Sequence, residues 1–136
     1  IGVCFGHQII AKALGGRVEK WQGGWTAGPQ TYDFGGHHQT LMAWHQDQVT
    51  EIPAGAKVLA SSDSCKNAAL AYGDKILTVQ AHPEFGAQMI GGLLKYRAPG
   101  LLPEPMIAEI EPKLNTPLDD KGFADEMADF FKGKRA

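Results

Sequence analysis

A cysteine lies midway between two glycines near the start of the chain, in the run Gly2-Val3-Cys4-Phe5-Gly6. The pattern G-x-C-x-G is typical of a sharp turn from a strand into a helix, which lifts a nucleophilic side chain above the edge of a sheet. Glycine suits the flanking positions because backbone segments in such a turn pass too close for a Cβ atom. The sequence therefore indicates Cys4 as a candidate nucleophile, with Gly2 and Gly6 as the glycines of its turn.

The expected turn would also activate the Cys4 thiol. The positive end of the helix that follows, together with a nearby imidazolium, would lower the pKa of this thiol and favour the thiolate. The amide of Phe5 would be placed to donate a hydrogen bond to an oxyanion. The alternative is a buried structural cysteine beside two incidental glycines, because free cysteine often serves as a small apolar residue.

A histidine and a glutamate two residues apart follow the most strand-like run of the chain, in Val79–Phe85. In an extended backbone residues i and i+2 point the same way, so His82 and Glu84 would face one pocket, and Pro83 would keep the segment extended. A carboxylate that holds an imidazole in one tautomer makes it a better base. Together with Cys4 as nucleophile, the pair would complete a catalytic triad. For the H-x-E pair alone, the alternative is a solvated strand end.

Helix and strand signals mix along the whole chain, which predicts an α/β fold. Helices are predicted from apolar residues at 3.6-residue spacing, over Gly6–Leu14, Gln88–Leu94, Pro105–Leu114 and Asp119–Lys132. Strands are predicted over 17–21, 30–34, 40–44, 57–61, 68–72 and 75–80, with residues 22–28 as a loop. Gly73-Asp74 is a tight turn signal that joins the last two strands into a hairpin.

Composition narrows the class of protein. The formal net charge of the 136 residues is −2, which gives no electrostatic reason to expect nucleic acid or an anionic membrane as partner. No run of about 18 apolar residues occurs, so we expect no membrane-spanning helix. The two cysteines, Cys4 and Cys65, can form at most one disulfide, and a reduced, cytoplasmic setting is the expectation. Ile1-Gly2-Val3 resembles the end of a strand, so we expect an N-terminal part to be missing.

These motifs, in this order, resemble class I glutamine amidotransferases. Residues Gly2–Gln8 match the family pattern G-x-C-x-G-x-Q, and Ala81–Phe85 contain its H-P-E. Between them, Ala43–Val49 resemble the family's H-x-D-x-V stretch, and Ile52–Gly55 resemble the turn that follows it. The resemblance covers about residues 1–97, and the paired motifs are highly specific.

The resemblance implies an open, mostly parallel sheet with helices on both faces, a flavodoxin-like α/β fold. The chain would be the C-terminal portion of a single amidotransferase domain, with residues 98–136 as a helical C-terminal extension. Cys4 would then lie at the carboxyl end of a strand, where such sheets place their sites.

The resemblance also implies an activity. Cys4 would attack the side-chain amide of glutamine, ammonia would leave, and water activated by His82 would release glutamate from a γ-glutamyl thioester. Phe5 would supply an oxyanion donor. Gln8 would help to hold the substrate, and His45 would contact it or shape its pocket, with a purely structural role for His45 as the alternative.

Three functions stay open on the sequence. The first is glutamine hydrolysis with ammonia passed to a separate synthetase subunit, as in stand-alone proteins similar to the amidotransferase half of GMP synthetase. The second is an independent cysteine hydrolase of γ-glutamyl peptides or conjugates. The third is a non-catalytic binding or regulatory module. No cofactor is expected, and without a second closely spaced Cys or His pair beside Cys4 and His7, spacing does not favour a metal site.

Overall fold

A computed structural model of the protein describes residues 1–133, which form eight strands, four α-helices and one short 3-10 helix. The strands are β1 (Gly2–Val3), β2 (Arg17–Lys20), β3 (Thr26–Asp33), β4 (His38–His45), β5 (Asp47–Glu51), β6 (Ala56–Ser62), β7 (Cys65–Tyr72) and β8 (Ile76–Val79). The helices are α1 (Phe5–Ala13), α2 (Ala87–Tyr96), α3 (Glu104–Ile110), the 3-10 helix Glu111–Lys113, and α4 (Asp120–Phe131). Within this range no helix is long and apolar enough to cross a membrane.

Six of the strands form one sheet in the order β1-β8-β7-β6-β3-β4, and β2 and β5 form a separate pair. The pairing of β1 with β8 is parallel, whereas the other pairings in residues 1–133 are antiparallel. The short connections between β3 and β4, β6 and β7, and β7 and β8 permit only antiparallel neighbours. The α/β class is confirmed, and this portion of the sheet is mixed rather than mostly parallel.

Helices cover both faces of the sheet, as expected. On one face Ala11 of α1 packs with the fully buried Leu70 of β7. On the other face Phe123 of α4 packs with Ala69 and Val79. Because successive side chains of a strand point to opposite faces, the neighbours Ala69 and Leu70 place α4 and α1 on opposite sides.

The C-terminal helices pack on strand β4 and belong to the core. Met42 of β4 is fully buried, and it lies in one apolar cluster with Ile90 of α2 and Ile110 of α3. The start of α4 is tied to the same strand, because the Thr40 amide donates to the Asp119 carboxylate at 2.7 Å and the Asp119 amide donates to the Thr40 carbonyl at 2.9 Å. The predicted helical extension is thus helical over α3 and α4, and residues 134–136 lie outside the described residues.

Two local predictions were wrong. Strand β5 was missed because its sequence, Asp-Gln-Val-Thr-Glu, carries a single apolar residue and so lacks a clear alternation. Its buried Gln48 is accommodated by donating to the Ser64 carbonyl at 2.7 Å. The loop predicted over residues 22–28 ends early, because β3 begins at Thr26.

Candidate active site

Cys4 lies at the junction between β1 and α1 in a strained backbone conformation. Its φ is 51° and its ψ is −100°. It is the one non-glycine residue with positive φ among residues 1–133. Such a conformation costs about 1–3 kcal/mol and persists only where the surroundings enforce it. Here the Cys4 amide donates to the Val79 carbonyl at 2.9 Å, and its carbonyl accepts from the Gln8 amide at 3.1 Å.

The space around the turn explains one of the two glycines. A Cβ atom on Gly2 would lie 2.8 Å from the carbonyl carbon of Gly6 and 2.8 Å from Cδ1 of Ile10, which is a severe clash. A Cβ atom on Gly6 would meet no atom within 4 Å in the described part of the chain. The close approach that favours glycine therefore acts at Gly2.

Burial dominates the electrostatics of the Cys4 thiol. Loss of solvent raises its pKa above the ordinary value, and repulsion from Glu84 adds to the increase. Hydrogen bonds from the Phe5 backbone and the Gln80 side chain act in the opposite direction without reversing it. The lowered pKa expected from the helix terminus is therefore not found, because desolvation of the half-buried sulfur outweighs the donors that face it.

The Cys4 sulfur contacts a chain of amide groups. Sγ lies 3.9 Å from the Trp44 carbonyl oxygen and 3.6 Å from Nε2 of Gln80. Nε2 of Gln8 in turn donates to Oε1 of Gln80 at 3.3 Å and to the Asp47 carbonyl at 2.9 Å. Both hydrogens of the Gln8 amide are thus engaged within the protein, so its free capacity toward a substrate is as an acceptor through Oε1.

The segment that carries His82 and Glu84 is a turn and not the extended strand end that the sequence predicted. Strand β8 ends at Val79, and the Phe85 amide donates to the His82 carbonyl at 3.1 Å. This bond closes a four-residue β-turn with Pro83 at its second position, where the fixed φ of proline is favourable. The turn nevertheless brings Nδ1 of His82 to 3.1 Å from Oε2 of Glu84, so the expected contact is present.

The orientation of the His82 ring follows from its neighbours. An ionised carboxylate only accepts hydrogen bonds, so Nδ1–H donates to Glu84 and Nε2 keeps the lone pair that a base needs. The ring also stacks on Phe85, with centroids 3.9 Å apart and planes 2° from parallel. The His82 side chain is 16% exposed and that of Glu84 is 58% exposed. Phe85, whose ring packs against the imidazole, is a residue of the candidate site that the sequence did not indicate.

Cys4 and His82 converge on the same edge of strand β4. The His82 amide donates to the Met42 carbonyl at 2.8 Å, and the Cys4 sulfur faces the carbonyl of Trp44, two residues further along. Carbonyls at i and i+2 of a strand point to the same edge and lie about 7 Å apart. In the described residues the sulfur bonds to Trp44 and Gln80 rather than directly to the imidazole.

Two further histidines near the site are buried and neutral. His45 is 5% exposed, and its Nδ1 lies 3.2 Å from the Asp47 carbonyl. Burial, aided by repulsion from His82, lowers the pKa of His45 to about 4. His7 is fully buried with Nδ1 2.8 Å from Oγ1 of Thr78, and burial lowers its pKa to about 4 as well. The His45 ring is thus turned into the protein, which favours the structural alternative for its side chain.

The described residues contain no group of three or more His, Cys, Asp or Glu side chains arranged to hold a metal ion. The side chains that lie together at the site are a thiol, an imidazole, a carboxylate and amide donors.

The model of the glutamine amidotransferase class-I family matches residues 1–92. Since this is more than half of the chain, the protein belongs to that family. The matched range contains Cys4, His82 and Glu84.

Several curated proteins are similar to this chain. A glutamine-hydrolysing GMP synthase of Clostridium novyi is 38% identical over 123 residues, covering 74% of this chain and 22% of that protein. Gamma-glutamyl peptidase 3 of Arabidopsis thaliana is 30% identical over 105 residues, covering 66% of this chain and 42% of that protein. One subunit of the glutamine-hydrolysing GMP synthase of Sulfolobus acidocaldarius is 40% identical over 93 residues, covering 62% and 50%. The chain thus spans half or less of the length of these relatives.

Solved structures share the fold over nearly the whole chain. A glutamine amidotransferase from Thermotoga maritima superposes with a TM-score of 0.74 at 20% identity, covering 99% of this chain and 62% of that one. A glutamine amidotransferase from Methylobacillus flagellatus gives a TM-score of 0.75 at 22% identity, covering 98% and 62%. The shared fold therefore extends beyond residue 92 into the C-terminal helices.

Proposed function

We propose that the protein hydrolyses the side-chain amide of glutamine, with Cys4 as nucleophile, His82 as proton carrier and Glu84 as the group that orients the imidazole. The observation that carries this proposal is the convergence of Cys4 and His82 on neighbouring carbonyls of strand β4. The strained backbone of Cys4 supports it, because strain of this kind is concentrated at functional sites.

The raised pKa of the Cys4 thiol supports a particular order of events. Because the thiol is protonated near neutral pH, Nε2 of His82 takes its proton as sulfur attacks the amide carbon. The imidazolium then gives this proton to the leaving nitrogen, so that ammonia departs and a γ-glutamyl thioester remains. Water, deprotonated by the same nitrogen, attacks the thioester, and glutamate and the thiol are released.

The carbonyl oxygen of the amide becomes negative in both attacks. The Phe5 amide, which lies at the start of α1 and already donates toward the Cys4 sulfur, is the expected donor to this oxyanion. Gln8 would accept a hydrogen bond from the substrate through Oε1. His45 would shape the substrate pocket by its place next to Trp44 in β4, because its ring is buried and does not reach the substrate.

The fate of the ammonia is the second part of the proposal. Similarity to one subunit of a GMP synthase favours transfer to a separate synthetase partner that carries out the amidation. The two free cysteines, Cys4 and Cys65, fit the reducing cytoplasm as the expected location.

Hydrolysis of γ-glutamyl peptides or conjugates is the second candidate function. The similarity to gamma-glutamyl peptidase 3 favours it, and the chemistry differs only in the leaving amine. A non-catalytic module, the third possibility, would have no use for the strained cysteine.

The test is the release of glutamate by the full-length protein from glutamine and, in parallel, from a γ-glutamyl dipeptide. Turnover of glutamine that disappears in Cys4→Ser supports the proposal. Turnover of the dipeptide alone would replace it by the second candidate. A folded wild-type protein that releases glutamate from neither compound would contradict both.

A further inference from the structure

We propose that Gln80 is a positioning residue of this site, which orients the Cys4 sulfur for attack and stabilises the thiolate by donating a hydrogen bond to it. The inference rests on the cysteine chemistry proposed above and adds a residue that the Cys-His-Glu triad does not include.

Gln80 is fixed on both its backbone and its side chain. Its amide donates to the Ala68 carbonyl of β7 at 2.8 Å, directly after β8 ends. The residue is fully buried, and its Nε2 lies 3.6 Å from the Cys4 sulfur. A buried amide needs partners for its polar atoms, and here one of those partners is the reactive sulfur.

The two contacts of the sulfur act on the thiol in opposite directions. The Trp44 carbonyl can only accept, so it stabilises the protonated thiol, whose hydrogen points at it. The Gln80 amide donates, so its bond becomes stronger when the sulfur carries a negative charge. Gln80 is therefore the side chain that favours the thiolate in a site where burial opposes it.

The direction of the Gln80 amide is set by Gln8. Nε2 of Gln8 donates to Oε1 of Gln80 at 3.3 Å, which leaves the NH₂ group of Gln80 turned toward sulfur. A flipped Gln80 would place two donors together and an oxygen lone pair against the thiolate. Gln8 thus links the first helix to the sulfur through Gln80.

Other titratable groups act on the same sulfur. Glu84 raises the pKa of the thiol by repulsion. Tyr32 of β3 and Cys4 repel each other when both are ionised. His7 of α1, His45 of β4 and His82 are further titratable groups on the surrounding elements. A change at Gln80 leaves all of these groups in place, so a change in the thiol pKa reports on the Gln80 contact.

The experiment follows alkylation of Cys4 by iodoacetamide as a function of pH, using intact mass as the readout. A Cys65→Ser background confines the signal to Cys4. The variants are Gln80→Leu, which removes the donor, and Gln80→Glu, which keeps the shape and places a carboxylate against the sulfur. Gln48→Leu is the matched control, because Gln48 is also buried but donates to the Ser64 carbonyl instead.

Gln80→Leu is expected to raise the thiol pKa by about 1 and to slow alkylation at pH 7 about tenfold, while Gln48→Leu leaves both unchanged. Gln80→Glu is expected to slow alkylation at least as much at pH 8 and above. A thiol pKa equal to that of the parent in either Gln80 variant would overturn the proposal, and so would an equal increase in Gln48→Leu. Alkylation needs no glutamine turnover, so failure of the proposed function is read separately from glutamate release.

Discussion

The two halves of the candidate site are built differently. One half, the sulfur side, comprises Cys4, Gln8 and Gln80, and a chain of amide hydrogen bonds lies around its strained cysteine backbone. The other half, the imidazole side, comprises His82, Glu84 and Phe85 and lies in a turn whose carboxylate is 58% exposed. The sulfur side is thus a half-buried thiol against a fully buried amide, whereas the imidazole side carries a carboxylate that is open to water.

This difference separates two tasks. Partial burial raises the pKa of the Cys4 thiol and strengthens each hydrogen bond to the sulfur. An exposed carboxylate contributes little to the free energy of unfolding, yet it still sets the tautomer of the histidine. Substitutions on the sulfur side should therefore alter thiol reactivity, and substitutions on the imidazole side should alter turnover with little change in stability.

The largest effect is expected from Cys4→Ser. Loss of the nucleophile should reduce glutamate release by roughly 10³-fold or more, because a hydroxyl in a site built for sulfur is a poor nucleophile. Initial-rate measurements check this, with Cys65→Ser as the matched control, because Cys65 is the other free cysteine of the described residues and is buried in strand β7. Equal losses in the two variants would contradict the assignment.

The next largest effect is expected from Glu84→Gln. Without the carboxylate the preferred tautomer of His82 is lost, and kcat should fall about 10²- to 10³-fold. The melting temperature should stay within about 4 °C, because an exposed ion pair contributes less than about 1 kcal/mol. Glu109→Gln, which removes another exposed, ion-paired carboxylate, is the control. A large loss of stability in Glu84→Gln without a loss of kcat would contradict the claim that the imidazole side affects turnover rather than stability.

Acid should destabilise the fold through the buried histidines. The pKa values of His7 and His45 are lowered from 6.5 to about 4. Between pH 6.5 and about 4 these histidines bind protons in the unfolded chain but not in the folded one. The free energy of unfolding is therefore highest above pH 6.5, and it decreases by about 3 kcal/mol for each histidine as the pH falls toward 4. Urea unfolding at several pH values measures this. His7→Gln should flatten the dependence, whereas the exposed His38→Gln should not, and an unchanged slope in His7→Gln would contradict the account.

The smallest effect is expected from Phe85→Leu. Removal of the stacked ring should loosen His82 and lower kcat about tenfold with KM nearly unchanged. The reason is that ring stacking stabilises the catalytic orientation of the His82 imidazole by about 1 kcal/mol. Steady-state kinetics check this, with the exposed Phe131→Leu as control. A rise in KM with constant kcat would assign Phe85 to substrate binding instead.

Short-range sequence patterns predicted much of the fold and of the candidate site. The Gly2 turn and the hairpin at Gly73-Asp74 depend on residues close in sequence, and the structure has both. The contact between His82 and Glu84 was also predictable, although the backbone reaches it by a turn. Such features are settled by sterics over a few residues, which a sequence displays directly.

Long-range packing could not be predicted in the same way. Gln80 and Cys4 are 76 residues apart, and no local pattern joins them. The signal that was available is an amide side chain at the end of an apolar strand, two residues before His82. The direction of the thiol pKa depends on how deeply the folded chain buries the sulfur, so the sequence indicated the donors but not the desolvation that outweighs them.

The most direct test of Cys4 as the nucleophile of a glutamine site is the intact mass of the protein after exposure to an electrophilic glutamine analogue. We expect a single adduct that excess glutamine blocks, that persists in Cys65→Ser and that is absent in Cys4→Ser. An adduct that forms on Cys65, or one on Cys4 that glutamine does not compete for, would contradict the claim that Cys4 serves a glutamine site.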